Sequence, residues 1–385
     1  MTKRAKWCIL LLKQKEKDMK VVCNGNDLAD AVSKVIKATA SKSANQILEG
    51  IKLKAEEGTL TLTATDLELS IEKSIVADVK IEGEAVVPGR LFSEFVKKLT
   101  KEQIELSVAD GNRLKIRYME SEGVLQCYPA DEFPEISELT DAQSFFIIKN
   151  EFKDLVNKVA FSVSADDSRP ILKGVLLEIN DVSVTGVALD GYRLAKCTKP
   201  IEKTTAMMSA IVPARCINEI ARLLEDSTDP VKISIRKNYM LVDLIHTKIT
   251  SRLLDGDFIN YKQIIPTSFE TMVTVPKEQF ESGLERAMLL ARSEKNNLVR
   301  FDIKENTLQL SSNSDAGEIT EKIPVKLDGV DIAIAFNARY YSELLKFVGS
   351  EYIVIKFINA ASPCVVAPVD SPDDFIYLIL PVRMG

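Results

Sequence analysis

Histidine is almost absent from this chain. His246 stands alone among 385 residues, which removes the usual general base and most metal-site designs. No Walker A loop, GxGxxG or GxSxG occurs, so the common phosphate-cradling and nucleophile-elbow chemistries have no motif to rest on. The six cysteines, at 8, 23, 127, 197, 216 and 364, form no CxxC pair and no Cys/His cluster. Neither a zinc site nor a disulfide scaffold is expected, and a reduced, cytoplasmic setting follows. Basic excess is lacking too. Fifty Lys and Arg against 56 Asp and Glu leave a net charge of −6, so any nucleic-acid contact must be local rather than a general basic coat. The apolar run Trp7 to Leu12 is far too short to span a bilayer or to form a signal-peptide core. With Lys3, Arg4 and Lys6 before it and KQKEKD after it, residues 1–18 read as a disordered or loosely docked extension ahead of Met19.

What is present is ordinary in composition, with 46% hydrophobic and 28% charged residues, and long enough for two or three domains. Its order is the informative part. Three segments end an alternating strand and start a helix: VVPGRLFSEFVKKL from Val86, IVPARCINEIARLL from Ile211 and AFNARYYSELLKFV from Ala335. Their arginines, Arg90, Arg215 and Arg339, are 125 and 124 residues apart. Asp66, Asp190 and Asp315 keep that spacing at 124 and 125. A third marker, an acidic-Phe turn ending at Phe133, Phe258 and Phe375, follows at 125 and 117. A period near 124 is too long for a solenoid, so these are whole domains: 19–143, 144–267 and 268–385.

Each copy is expected to open with an amphipathic helix. Leu28, Val32, Val35 and Ile36 recur as Phe152, Leu155, Val156 and Val159, then as Phe280, Leu284, Ala287 and Met288, one apolar stripe at helical spacing. A second helix carries Phe92, Phe95 and Leu99, then Ile217, Ile220 and Leu224, then Tyr341, Leu344 and Val348. About eight short alternating strands per copy, punctuated by Glu57-Gly58 and Asp110-Gly111, complete an α+β domain.

A triplicated two-helix, eight-strand domain with DSRPILKGVLLE from Asp167, ALDGYRLA from Ala188, LLDGDFINY from Leu253 and LILPVRM from Leu378 resembles the bacterial DNA polymerase III β subunit, the sliding clamps. The resemblance runs from Met19 to Met384 and implies half of a pseudo-sixfold ring. Two chains would join head to tail, with twelve helices around a hole. Helices about 9–10 Å apart then lie on a circle roughly 34–38 Å across, leaving a bore of about 25 Å, wide enough for a duplex of roughly 20 Å. Six helices would leave only about 8 Å, so the function requires a homodimer.

Such a ring must not repel phosphates, although two chains of −6 carry −12. Candidate DNA-facing residues are Lys34, Lys37, Arg90, Lys97, Lys98, Lys153, Lys158, Arg215, Arg222, Arg286, Arg292, Arg339 and Lys346 on the helices, with Lys42 in the loop SKSANQ. Arginine in a helix's first turn opposes the macrodipole; three repetitions at Arg90, Arg215 and Arg339 point to phosphate attraction as compensation. Contacts of that kind are sequence-independent and salt-sensitive.

The resemblance also implies a pocket for short linear motifs of the polymerase catalytic subunit, clamp loader and repair proteins. Carried over by position, its wall is Arg169, Leu172, Gly191, Tyr192, Arg193, Leu194, Ile259 and Ile264, with Asn337, Tyr340, Pro363, Leu378, Leu380, Pro381, Val382 and Arg383. Branched apolar side chains would form the well and arginines its rim. Leu189, where a Thr is often seen, and Ile259, in place of a Pro, depart from the commoner pattern and bear on motif preference. Leu125 on one side and Leu289 and Leu290 on the other match the ring-closing positions. No catalytic residue, cofactor, metal site or membrane partner is expected; the acidic pairs Asp166-Asp167, Asp373-Asp374 and Glu56-Glu57 read as turns. The competing readings are a peptide-binding adaptor of the same shape that does not load on DNA, and an enzyme with a site between repeats.

Overall fold

The structure, a computed structural model, describes residues 18–99, 102–109, 113–136, 140–292 and 297–383. The expected extension, apart from Asp18, and the Asp110-Gly111 turn lie outside them, although the strands flanking that turn do pair Ala109 with Arg113.

Among the described residues six α-helices fall two to a copy: α1 (Gly25–Val35), α2 (Gly89–Val96), α3 (Lys149–Val159), α4 (Ala214–Leu223), α5 (Lys277–Ala291) and α6 (Ala338–Leu345). Each copy opens with a six-residue strand, not with the helix: Met19–Asn24, Gln143–Ile148 and Thr271–Pro276 lead into α1, α3 and α5. Six residues of period two are easily overshadowed by the longer helical pattern beside them. The apolar stripes are buried as their spacing requires, from Leu28 and Val32 to Ala287 and Met288, with Ile36 partly covered in a 3₁₀ turn that continues α1. The second helices follow suit; Phe95 alone is half-buried, its ring edge-on to Tyr118 at 5.8 Å. Pro88 and Pro213 hold the N-cap positions of α2 and α4, while Asn337 caps α6 by accepting from the Arg339 N–H at 3.1 Å. Glu57 and Gly58, at φ 45° and 75°, make the left-handed pair that a two-residue hairpin needs. Asp66 and Asp190 build the same turn twice: Asp66 Oδ1 accepts from Glu68 and Leu69 N–H at 3.1 and 2.8 Å, Asp190 Oδ1 from Tyr192 and Arg193 N–H at 2.9 and 3.0 Å.

Chain contacts divide the molecule into two compact units, Met1–Phe146 with Val231–Leu253 and Ile147–Pro230 with Leu254–Gly385. The first unit holds a five-stranded sheet, in the order Asp78–Ile81, Met19–Asn24, Gln103–Ala109, Arg113–Tyr118, Ser121–Gln126. It also holds an eight-stranded sheet, in the order Gln143–Ile148, Pro230–Arg236, Tyr239–Asp243, Thr247–Arg252, Leu69–Val76, Thr59–Thr65, Gly50–Glu56, Gly83–Pro88. The second unit holds a nine-stranded sheet running from Met208–Pro213 through Arg193–Pro200 and Phe375–Ile379 to Lys326–Gly329, and a four-stranded sheet edged by Gly317–Pro324.

Neighbouring copies therefore share sheets. Thr247–Arg252 of the second copy pairs with Leu69–Val76 of the first, Ser251 opposite Leu69 and Ile249 opposite Ile71. Phe375–Ile379 of the third pairs with Arg193–Pro200 of the second, Ile379 opposite Arg193 and Tyr377 opposite Ala195. Both seams are antiparallel and bury their facing side chains Ile71, Ile249, Ser251, Ala195, Tyr377 and Ile379 completely.

One repeat marker is corrected by this topology. Phe133 and Phe258 follow the last strand of their copies, whereas Phe375 is the first residue of the last strand of the third. The positions that correspond are Tyr128, Leu254 and Val382, whose N–H groups donate at 2.8, 2.9 and 2.8 Å to the carbonyls of Val86, Ile211 and Ala335. The short 117-residue gap is the trace of a coincidental match, because an acid before a turn and an apolar residue after it suit many strand ends.

Candidate protein-binding site and basic helix faces

The second copy's hairpin Ser183–Leu189/Arg193–Pro200 and the C-terminal strand Phe375–Ile379 bring most of the expected pocket residues together in the second unit. Leu172, Leu194 and Leu378 are almost wholly buried and belong to one apolar cluster with Leu176, Val187, Leu189, Ile211, Tyr261 and Val365. Around these leucines large apolar side chains stay exposed: Tyr192 at 65%, Ile259 at 42%, Ile264 at 39% and Leu380 at 36%. The chain end is tied down beside them, Leu380 N–H donating to Tyr192 O at 2.9 Å and Val382 N–H to Ala335 O at 2.8 Å. Ile259 and Ile264 flank the 3₁₀ turn Tyr261–Gln263, which Tyr261 anchors by donating its hydroxyl to Glu178 at 2.5 Å. Leu189 is buried in the cluster, so its departure from the family pattern adds to the floor, whereas Ile259 adds to the exposed face.

Arg193 is not at the rim, where the sequence placed it. It is 9% exposed, and every direction of its guanidinium is used. Nε donates to Asp190 Oδ2 at 2.9 Å, Nη1 to Glu343 and to the Tyr377 hydroxyl at 3.3 Å, and Nη2 to Phe161 O at 2.9 Å. The Tyr340 ring lies 4.6 Å from it and the Phe161 ring 5.6 Å. Burial opposes the charged form, but Tyr377 and Glu343 outweigh it and push the Arg193 pKa up. Burial likewise opposes the charge on Glu343, and its hydrogen bonds from Arg193 and Arg339 outweigh that and hold its carboxyl below the usual range. Arg193 thus locks the hairpin to α6 and the last strand, setting the floor on which Tyr192 and Leu380 sit. Arg169 and Arg383 are the exposed arginines, while Asn337, Tyr340, Pro363, Pro381 and Val382 are half-buried around the same chain end. Gly191 takes φ 95°, the left-handed turn position that turns Tyr192 outward.

The basic candidates occupy helices and turns, each with its own neighbours. Arg90, Arg215 and Arg339 all stand at the second residue of their helices and are exposed. A glutamate follows four residues later in every copy. Arg90 pairs with Glu94 at 3.2 Å and Arg339 with Glu343 at 2.7 Å, while Glu219 pairs with Arg222 at 2.5 Å. In two copies an i, i+4 acid already offsets the unfavourable dipole, so first-turn placement alone does not single out phosphate; the recurrence of Glu94, Glu219 and Glu343 is the sequence signal of that offset. Lys34 pairs with Asp30 at 3.0 Å, Lys158 with Asp154 at 2.7 Å, Lys153 with Asp226, and Arg286 with both oxygens of Glu321 at 2.7 and 2.8 Å. Lys37, Lys42 and Lys97 are exposed and have no ion-pair partner among the described residues. Surface pairs of this kind exchange partners at little cost.

The ring-closing candidates lie near sheet edges. Leu125 is half-buried on the edge strand Ser121–Gln126; Leu289, 65% exposed, and half-buried Leu290 end α5. Burial disfavours the thiolate at four of the described cysteines, pushing Cys23, Cys197 and Cys364 up to about 12 and Cys127 up to about 11. Asp167 pairs with Lys173, Glu56 with Lys54, and Asp166 closes the turn to Ser168.

The fold is a set of tandem clamp domains, each with a helix pair against strands, with large apolar side chains exposed beside the C-terminal strand. Comparison with known proteins agrees. The chain matches the descriptions "DNA polymerase III beta subunit, N-terminal domain" over residues 19–137, "central domain" over 147–260 and "C-terminal domain" over 262–383. It is 33% identical over 366 residues to the beta sliding clamp of Halalkalibacterium halodurans, covering 91% of this chain and 96% of that protein. To the beta sliding clamp of Bacillus subtilis it is 30% identical over 382 residues, covering 95% and 100%. Among solved structures, the Bacillus subtilis sliding clamp superposes with a TM-score of 0.92 at 29% identity, covering 95% of this chain and all of that one. The Pseudomonas aeruginosa clamp bound to griselimycin superposes with a TM-score of 0.89 at 26% identity, with the same coverage. This chain belongs to the bacterial DNA polymerase III beta subunit family, the beta sliding clamps. It is accordingly a DNA sliding clamp, a non-catalytic subunit, and the adaptor alternative is not favoured. No helix among the described residues is long and apolar enough to cross a membrane.

Proposed function

We propose that two copies of this chain, each contributing domains 19–143, 144–267 and 268–385, close head to tail into a ring around duplex DNA and carry the replicative polymerase, clamp loader and repair proteins on the surface around Leu172 and Leu380. The observation that carries the ring is the pair of seams. By the repeat, Leu69–Val76 and Arg193–Pro200 correspond to Gly317–Pro324, and Thr247–Arg252 and Phe375–Ile379 correspond to Ser121–Gln126. The first two pairs are joined within the chain, whereas Gly317–Pro324 and Ser121–Gln126 are each the edge of a sheet. Both internal registers, Leu69 with Ser251 and Arg193 with Ile379, map onto the same third one. It places Gly317 opposite the partner's Leu125 and Ile319 opposite the partner's Gly123. A strand edge with a self-supplied complement is a heterologous interface that closes by rotation, and pairing removes two exposed edges that would otherwise invite aggregation. Leu289 and Leu290 lie at the end of α5, which Arg286 ties to the edge strand through Glu321.

The DNA-facing role of Lys34, Lys37, Lys42, Arg90, Lys97, Lys153, Lys158, Arg215, Arg222, Arg286 and Arg339 rests on their recurrence on helix surfaces. Their glutamate and aspartate neighbours leave the contact weak enough to slide, because each cation can trade a carboxylate for a phosphate. Light scattering is expected to give twice the chain mass at micromolar concentration. Clamp loaded by its loader is expected to stay on nicked circular DNA and run off the same DNA once linearised. A monomer, or equal retention on both, would sink the ring.

For the protein surface, deleting Leu380 to Gly385 removes one exposed apolar wall and the hydrogen bonds to Tyr192 and Ala335. Fluorescence anisotropy with an aliphatic clamp-binding peptide is expected to show at least a roughly hundredfold loss of affinity, the scale of a lost anchoring cluster. Unchanged affinity would remove the site from this surface.

A further inference from the structure

The seam between the first two copies repeats, position for position, the seam that underlies the apolar surface. At the second seam Leu189 pairs with Leu194 and Leu194 with Leu378, three leucines side by side across three strands. At the first, the same places are taken by Thr65, Ser70 and Thr250, Thr65 opposite Ser70 and Ser70 opposite Thr250. A cavity of about 80 Å³ opens there, lined by these three hydroxyl residues, by Leu67 and Tyr239, and by Glu135 with its neighbours Pro134 and Ile136. Thr65 and Ser70 bond to each other at 2.7 Å. Thr250, 8% exposed, has no hydrogen-bond partner for its hydroxyl among the described residues. A hydroxyl without a protein partner on the wall of a cavity is open to a ligand or a water. Leu67, 54% exposed, sits at φ 77° where the sister turn has Gly191 at φ 95°. A leucine is unfavourable in that conformation, yet it holds an apolar lip over the cavity.

We propose that this first-seam cavity is a second peptide-binding site, one that takes an extended segment through an uncharged carboxamide side chain, glutamine or asparagine, where the sister surface takes an aliphatic one. The inference rests on the protein-binding reading of the sister surface. The choice of ligand follows from the lining. Thr250 offers a hydroxyl with no partner among the described residues and the Thr65–Ser70 pair keeps one O–H group spare, and a carboxamide both donates and accepts. Thr250 donates to its carbonyl oxygen, and its amino group reaches the Thr65–Ser70 pair or Glu135. An anionic side chain is poorly suited, because Glu135, the one charged residue on the wall, would repel it. Leu67 and the Tyr239 ring cover the aliphatic stem.

The test uses the full-length dimer with 13C-labelled leucine and isoleucine methyl groups. Titration with acetyl-Gly-Gln-Gly-amide is expected to shift the Leu67 and Ile136 methyl signals, and acetyl-Gly-norleucine-Gly-amide is expected to leave them in place. Thr250→Val, isosteric and safe for folding, is expected to weaken the glutamine peptide by about fivefold, the worth of one hydrogen bond, and Ser70→Leu to abolish its effect. Deletion of Leu380 to Gly385 is expected to change nothing at Leu67. Silence of both methyls, an equal response to norleucine or to an arginine peptide, or insensitivity to Thr250→Val would each overturn the proposal. Failure of the sister reading shows separately, as unmoved Leu172, Leu194 and Leu378 methyls when an aliphatic clamp-binding peptide is added.

Discussion

Arg193→Ala is expected to lower the melting temperature of its unit by roughly 10 °C and to erase peptide binding with it. The arginine is buried among Asp190, Glu343, Tyr377 and the Phe161 carbonyl. Its removal leaves Asp190 without its cation and Glu343 with Arg339 alone, and breaking a buried pair from one side costs about 3–5 kcal/mol. Arg193→Lys should recover little, because an ammonium cannot reproduce the fork that meets Asp190 and Glu343 at once or stack on Tyr340. Differential scanning calorimetry with Arg193→Ala, Glu343→Gln and the double variant separates the pair energy from the rest. A drop of about 2 °C or less for Arg193→Ala would show that the network is dispensable. The pH dependence has a definite sign. Glu343 has a lowered folded pKa, so its stabilisation is present above the pKa of an unfolded glutamate and is lost as pH falls from there through the lowered folded pKa. Glu343→Gln should flatten that acid limb.

The second large effect belongs to the ring. Ile319→Asp is expected to convert the dimer to a monomer at micromolar concentration and to abolish retention on nicked circular DNA. Within one chain Ile319 is only partly covered, so the isolated chain tolerates a polar residue there. Its counterparts Ile71 and Ala195, in the two seams already made, are completely buried. Carrying an aspartate into such a seam costs several kcal/mol, which is at least a hundredfold in the dimer constant. Sedimentation equilibrium reads the mass directly. A dimer of unchanged affinity would mean that the edges at Gly317–Pro324 and Ser121–Gln126 are not the contact. Leu125→Asp on the complementary edge should act in the same way, since the matching Ser251 and Ile379 are also fully buried.

Much of this architecture could be read in advance because its causes are local. The helices followed from apolar residues at 3.6-residue spacing, the start of each copy's second helix from Pro88, Pro213 and Asn337, and the copy number from the recurrence of Arg90, Arg215 and Arg339. The clustering of Leu172, Leu194 and Leu378 was expected from family resemblance, and these leucines do share one apolar cluster. Arg193 was misplaced at the rim because an arginine in a DGYR turn looks like a solvated residue until its partners, distant in sequence at Phe161, Glu343 and Tyr377, are known. The acidic-Phe marker failed for a related reason: a short motif matches by composition, whereas the strand it belongs to is defined by what it pairs with.

By itself, then, the sequence determined that there are three copies, where the second helix of each begins and which faces are apolar. These depend on periods of two and 3.6 residues and on side-chain chemistry within a few positions. Only the tertiary structure decided that the second copy's last strands complete the first copy's sheet, that Arg193 is a buried tie, and that hydroxyls at one seam stand where leucines stand at the other. A strand carries the same alternating pattern whichever edge it joins, so its partner is chosen by packing across more than a hundred residues of chain, and no local pattern records that choice.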